Sequence, residues 1–332
     1  MADRVLVTGA GGFIGSHVVE QLVRAGLSVK AMVRYTSSGN WGWLHDLDQT
    51  LLKDVDVVPS DIRDTERLFA LSADCSAIVN LAALISIPYS YHAPRSYVET
   101  NIHGTLNVLE AARRAGNARV VHLSTSEVYG TARVVPMTED HPLSAQSPYA
   151  ASKTGADQLT LSYHHAFKLP VVVVRPFNTY GPRQSMRAIV PSIITQIASG
   201  RNEVRIGNLR PTRDLTFVAD TARGIVAALR ADCLGRVVNL GSGFEISIGG
   251  LAELIAEIMG RKVTFTQDEE RVRPEGSEVE RLFASIELAR TALGWQPKHV
   301  GIEGLKRGLD LTVRWFGDPA NAARYDSERY HI

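Results

Sequence analysis

Cysteine is nearly missing from this chain: Cys75 and Cys233 are the two present in 332 residues. They form neither a C-x-x-C pair nor a disulfide framework, so a disulfide-stapled fold is excluded and a reducing, cytoplasmic setting is expected. Charge of one sign is missing too. The 36 Lys and Arg face 35 Asp and Glu, a formal net charge of +1, which supplies no overall field for nucleic acid. An anionic ligand must therefore be gripped by a local site. No apolar run approaches the ~20 residues of a membrane span, and glycine breaks the apolar run at 5–7 too early for a signal peptide. Neither a membrane nor a nucleic-acid partner is expected. Repeats, low-complexity tracts and long charge runs are also lacking. The 10 histidines show no paired metal-ligand spacing, and the adjacent His164 and His165 face different ways on a helix, so no metal site is expected.

With 45% hydrophobic and 21% charged content the chain can bury a sizeable core, and at about 150 residues per domain its length points to two domains. Short, β-branched, nearly continuous apolar runs fall at 5–8, 28–33, 55–59, 77–81, 119–124 and 169–175. Helix-period segments separate them; in 16–25, Val18, Val19, Leu22 and Val23 share one stripe. This alternation predicts an α/β fold, a doubly wound parallel sheet covered on both faces. Beyond Arg175 the rhythm changes: Pro176, Pro182, Pro191 and Pro211 punctuate the chain, and helical patterns appear at 220–231 and 248–259. The expected division is a sheet domain over 1–175 and a smaller mixed domain over 176–332, with an interleaved boundary. The polar tail 318–332 is expected to be a mobile end or an arm that covers a partner.

Gly9-Ala10-Gly11-Gly12-Phe13-Ile14-Gly15 joins the first strand to the first helix, with Gly9, Gly12 and Gly15 spaced G-x-x-G-x-x-G. Glycines there permit backbone conformations and close approach that a Cβ would block, and a helix N-terminus offers free N–H groups to a diphosphate. A dinucleotide site is predicted, with an ordinary tight turn as the alternative. The second strand lacks the terminal acid that binds an NAD ribose. Arg34 stands there instead, where a cation meets a 2′-phosphate, so the cofactor is NAD or NADP, Arg34 favouring NADP unless it is a solvated surface group. Asp61 and Ile62 follow the third strand, where a carboxylate can accept from an adenine amino group.

Ser147 and Pro148 are suited to the N-cap and first position of a helix that carries Tyr149 and Lys153 four residues apart on one face. A phenol titrates near ~10; a neighbouring ammonium favours its anion and makes it a usable base. Upstream, the fifth strand runs into Ser124-Thr125-Ser126-Glu127-Val128-Tyr129-Gly130, a hydroxyl-rich strand end followed by a carboxylate. Ligands of open α/β sheets sit outside these ends.

Thr8 to Gly15, Asn80-Leu81-Ala82-Ala83, Ser124 to Gly130, Tyr149 to Lys153 and Arg175-Pro176-Phe177-Asn178 together resemble the extended short-chain dehydrogenase/reductases that modify nucleotide sugars. The resemblance covers nearly the whole chain. Within that family, the segments 85–91 and 178–184 and the Trp41-Gly42-Trp43-Leu44 loop are most similar to the 4,6-dehydratases of legionaminic-acid type pathways. It implies a Rossmann domain that binds a tightly held, recycled NAD or NADP through Gly9, Gly12, Phe13, Ile14, Gly15, Leu81, Ala82, Ala83, Tyr149 and Lys153. It also implies a nucleotide-linked hexose as substrate, N-acetylglucosamine above all. Tyr149 would take the C4 hydroxyl proton, Lys153 would hold the nicotinamide ribose, and Thr125 would bond the C4 oxygen. Glu127 would remove the C5 proton before the C6 hydroxyl leaves as water.

One residue departs from the pattern. Many of these dehydratases carry Asp where Ser126 stands, so Glu127 must act as both base and acid, or a water must intervene. The same Ser-Thr-Ser-Glu form occurs in decarboxylases of nucleotide-linked glucuronic acid, and C4-epimerases share the Tyr-Lys pair. A non-catalytic dinucleotide sensor is disfavoured by the acid/base set. In the second domain the resemblance assigns Asn178, Arg213 and Arg273 to the nucleotide diphosphate and Val204 to the segment that covers the base; Ser86 and Arg183 are expected to bind the substrate as well. A homodimer through the Tyr149 helix and the helix near 101–115 is implied as well.

Overall fold

The computed structural model describes residues 4–325. The six apolar runs form β1 (Arg4–Thr8), β2 (Ser28–Arg34), β3 (Val55–Ser60), β4 (Ala77–Asn80), β5 (Arg119–Leu123) and β6 (Val171–Pro176). Later come β7 (Asn178–Tyr180), β8 (Glu203–Ile206), β9 (Thr212–Phe217), β10 (Arg236–Leu240), β11 (Glu245–Ser247), β12 (Thr264–Gln267) and β13 (Arg281–Leu282). A parallel sheet of seven strands runs β10-β6-β5-β4-β1-β2-β3. Strand β10, which lies beyond residue 176, closes one edge by pairing Val238 with Val174. The second half of the chain thus returns to complete the first domain's sheet.

The main helices are α1 (Phe13–Arg24), α2 (Thr65–Ser72), α3 (Gly104–Arg114), α4 (Pro148–Phe167), α5 (Ile189–Ala198), α6 (Val218–Ala228), α7 (Ile248–Ile258) and α8 (Gly301–Gly317). On one face of the sheet, Val18, Val19 and Leu22 of α1 pack with Ala222 and Ile225 of α6. On the other, Leu68 of α2 packs with Val108 and Leu109 of α3. Both faces are covered, which is why the strands read as unbroken apolar runs. A second core joins Ile193 and Ile197 of α5, Leu251 and Ile255 of α7, and Leu305 and Leu309 of α8. Beside it, β9 pairs with β7, β11 and β13.

Strand order reverses between β1 and β4, and there the Thr8 hydroxyl donates to Asn80 Oδ1 at 2.8 Å and accepts from Leu81 and Ala82 N–H at 3.1 Å. This is the crevice in which open α/β sheets hold ligands. The tail differs from the expected mobile end as far as residue 325. A short helix forms at Pro319–Ala322, and Tyr325 packs on Phe316 and donates to the Gln184 carbonyl at 3.1 Å. The rest of the tail, 326–332, lies outside the described residues.

Candidate active site

The glycine turn has the tightness its spacing predicts. Gly9 takes a φ of +68°, and an added Cβ would lie 2.8 Å from the Ala82 nitrogen; on Gly15 it would lie 2.2 Å from the Gly9 carbonyl. Gly12 caps α1 with no side-chain bond to the first turn, so the N–H groups at Phe13 and Ile14 are left for an anion. A turn that excludes side chains and ends on the free N–H groups of an uncapped helix fits a dinucleotide diphosphate. The Trp41 loop packs on its outer side: Trp43 N–H donates to the Gly11 carbonyl at 3.0 Å. Arg34 ends β2 with its side chain exposed. Asp61 receives Arg63 at 2.9 and 2.6 Å, which holds its carboxyl below the usual range, with Arg34 adding to the effect. Ile62 is buried in the core beneath α3, and Ala83 follows β4 half-buried beside Ala82.

Ser147 caps α4, accepting from Ala150 N–H at 3.1 Å, and Pro148 opens the first turn as predicted. Tyr149 and Lys153 are both buried. The Thr125 hydroxyl favours the phenol's anion, and it accepts from Glu127 N–H at 3.3 Å as it caps the short turn Ser126–Tyr129. Thr125 and the carboxylate it presents thus both act on the phenol. Burial pushes the phenol's pKa up; the Thr125 hydroxyl opposes this and the Glu127 charge adds to it. Lys153 donates to the Leu123 carbonyl at 2.6 Å. Burial lowers its pKa to about 8, against the pull of Asp157. Ser86 lies near: it caps the short helix Ile87–His92, and its carbonyl accepts from Tyr97, whose ring meets that of Tyr149 edge-on at 6.3 Å.

Opposite, Arg213 reaches Glu278 at 3.3 Å, and Arg273 lies 3.8 Å from both Glu127 and Glu278. Burial lowers the Arg213 pKa, with Glu127 pulling it back up. Arg273 Nη1 and Asn178 Oδ1 are buried without hydrogen-bond partners, and orphaned polar atoms of this kind mark where a polar ligand docks. Two assigned residues stand elsewhere. Arg183 donates to Ser16 and Glu20 of α1 at 3.2 and 2.9 Å, apart from the Arg213–Arg273 pair. The Val204 side chain is fully buried in the second core, which leaves only its main chain to face a base. Sequence reasoning gave no role to Glu278, which bonds Arg213 and lies 3.8 Å from Arg273, or to Tyr91 of the 85–91 segment, whose hydroxyl meets that of Ser277 at 2.6 Å. No spacing signal marks either residue.

A doubly wound sheet with a glycine turn at its reversal point, and a Tyr-Lys helix beside a hydroxyl-rich strand end, defines an extended short-chain dehydrogenase/reductase. More narrowly, residues 6–307 match the family model for GDP-mannose 4,6 dehydratase, and the chain belongs to that family. It is 34% identical to the low-salt glycan biosynthesis protein Agl12 of Haloferax volcanii, over 92% of this chain and 97% of that protein. It is 33% identical to a UDP-glucuronate 4-epimerase of Thermodesulfobacterium geofontis, over 93% and 95%. Among solved structures, the dTDP-glucose 4,6-dehydratase DesIV of Streptomyces venezuelae, determined with NAD bound, superimposes with a TM-score of 0.84 at 32% identity, covering 95% of this chain and 97% of that one. The relatives thus include dehydratases and 4-epimerases on one scaffold.

Proposed function

We propose that this protein is a nucleotide-sugar 4,6-dehydratase acting on a nucleotide-linked hexose, N-acetylglucosamine in the first instance. The observation that carries this is Glu127, buried on the turn that Thr125 caps, close enough for its charge to act on the Tyr149 phenol and 3.8 Å from Arg273. An epimerase needs only the phenol; a dehydratase needs a second base aimed at C5. NAD or NADP, held by the Gly9–Gly15 turn and Lys153, supplies reversible two-electron chemistry at C4. Tyr149 takes the C4 hydroxyl proton while Thr125 holds that oxygen. The C4 ketone acidifies the C5 hydrogen, and Glu127 removes it. With Ser126 in place of an acid, the proton on Glu127 is the one available to the departing C6 hydroxyl. Arg213, Arg273 and Asn178 bind the diphosphate; the arginine forks donate charge-assisted bonds to its oxygens.

Arg34, exposed at the end of β2, favours a 2′-phosphate, so NADP is held at least as well as NAD. The protein is proposed to act in the cytoplasm as a homodimer joined through α3 and α4. Incubation with UDP-, GDP- and dTDP-linked glucose, N-acetylglucosamine and glucuronic acid, followed by mass spectrometry, tests the activity. A product lighter by one water supports it. Unchanged mass with inverted C4 identifies an epimerase, loss of carbon dioxide from a glucuronic acid a decarboxylase, and no turnover a sensor.

A further inference from the structure

Asp157 lies one helical turn beyond Lys153 on α4 and is fully buried. Its Oδ2 accepts from the Ser124 hydroxyl at 2.7 Å and from Arg175 Nε at 3.0 Å. Its Oδ1 lies 3.6 Å from His122 Nε2, and neither atom has another partner. The imidazole's tautomer follows from its other side. Thr8 accepts from two backbone N–H groups, so its own proton goes to Asn80 Oδ1. The Asn80 amide then donates to His122 Nδ1 at 3.1 Å. Burial keeps the imidazole neutral, so the ring's single proton sits on Nε2 and points at Asp157. A one-way chain of donors therefore runs from the ends of β1 and β4 through β5 to a single carboxylate.

Burial pushes the Asp157 pKa up; Arg175, Lys153 and the Ser124 bond oppose this. Arg175, whose guanidinium lies 4.8 Å over the Tyr129 ring, supplies one neighbouring cation from β6, and Lys153 supplies the other from α4 itself. The Lys153 ammonium is bonded to a neutral carbonyl, Leu123, which does not compensate its charge. We propose that Asp157 is a positioning residue: its carboxylate, held by Ser124 and Arg175, faced by His122 and one helical turn beyond Lys153, keeps Lys153 charged beside Tyr149. This rests on the roles proposed for Tyr149 and Lys153.

The test is direct titration of Lys153. The chain has only seven lysines, so NMR of the protein labelled at the lysine ε-carbons, with Lys153→Met for assignment, resolves it. Asp157→Asn keeps the shape and the Ser124 bond but removes the charge. The expected result, in protein loaded with cofactor, is a Lys153 titration lowered by about one pH unit or more, the effect of losing a close opposite charge. The alkaline limb of kcat moves down with it. An unmoved Lys153 titration, with activity falling evenly at every pH, overturns the proposal and leaves Asp157 a structural group. Should Asp157→Asn not fold, Asp157→Ser removes the same charge and leaves room for a water; the same downward movement is expected, and none overturns the proposal. If Lys153 moves but no nucleotide sugar turns over, the functional reading fails and this one stands.

Discussion

Asp214 sits beside Arg213 on β9, fully buried, with four donors on its carboxylate. Ser242 N–H and hydroxyl bond Oδ1 at 2.7 and 2.6 Å; Gly243 and Ala284 N–H bond Oδ2 at 3.1 and 3.3 Å. In Asp214→Asn the amide NH2 faces two of these N–H groups, which lose their acceptor. At ~1–3 kcal/mol for each orphaned buried donor, less the relief of not burying a charge, the loss is about 2–4 kcal/mol. The pH dependence is a sharper check. Burial raises the Asp214 pKa to about 6, against the hydrogen bonds from Ser242, Ala284 and Gly243. The folded protein thus holds the proton more tightly than the unfolded chain does. The stabilisation this gives is fully present below the ordinary value of about 4 and is lost as pH rises through 6. Over two pH units it amounts to about 3 kcal/mol, present in the native protein and absent from the variant. Urea denaturation of both proteins between pH 4 and 8 measures it. The gap between their midpoints is expected to be widest near pH 4 and narrower above 6. A gap that is constant with pH, or that widens as pH rises, refutes the reasoning.

Glu127→Gln is expected to abolish water loss while C4 oxidation persists, seen as nicotinamide absorbance that rises and is not discharged; continued release of a dehydrated product would remove Glu127 from its role. Gly15→Ala pushes a methyl to 2.2 Å from the Gly9 carbonyl, so dinucleotide affinity should fall about 100-fold, ~2.7 kcal/mol. Gly317→Ala, with nothing within 4 Å, should leave affinity unchanged in the same fluorescence titration. Arg273→Ala removes a charged donor worth ~1.5–3 kcal/mol, so KM for the nucleotide sugar should rise about 10- to 100-fold while dinucleotide affinity holds.

The six strands of the first domain were legible to within two residues at either end because each is buried on both faces and so reads as an unbroken apolar run. Strand β10 was not: Asn239 interrupts it, where its backbone N–H serves Glu139 and its side-chain amide serves the Met137 carbonyl. The glycine turn and Tyr149–Lys153 were legible because their chemistry depends on close spacing along the chain. His122 and Asp214 act through partners tens of residues away, as do Asp157 through Ser124 and Glu278 through Arg213, and no spacing marks them. Arg183 shows the converse: a recognisable motif carries it, yet its guanidinium turns back to Glu20 on α1.

The central claim is that one site oxidises C4, eliminates across C5 and C6, and returns the same hydrogen to C6. A nucleotide-linked N-acetylglucosamine bearing deuterium at C4 tests it in a single incubation. The account predicts a product one water lighter with the deuterium in its C6 methyl group. Deuterium retained at C4 in a product of unchanged mass would contradict it and make the protein an epimerase.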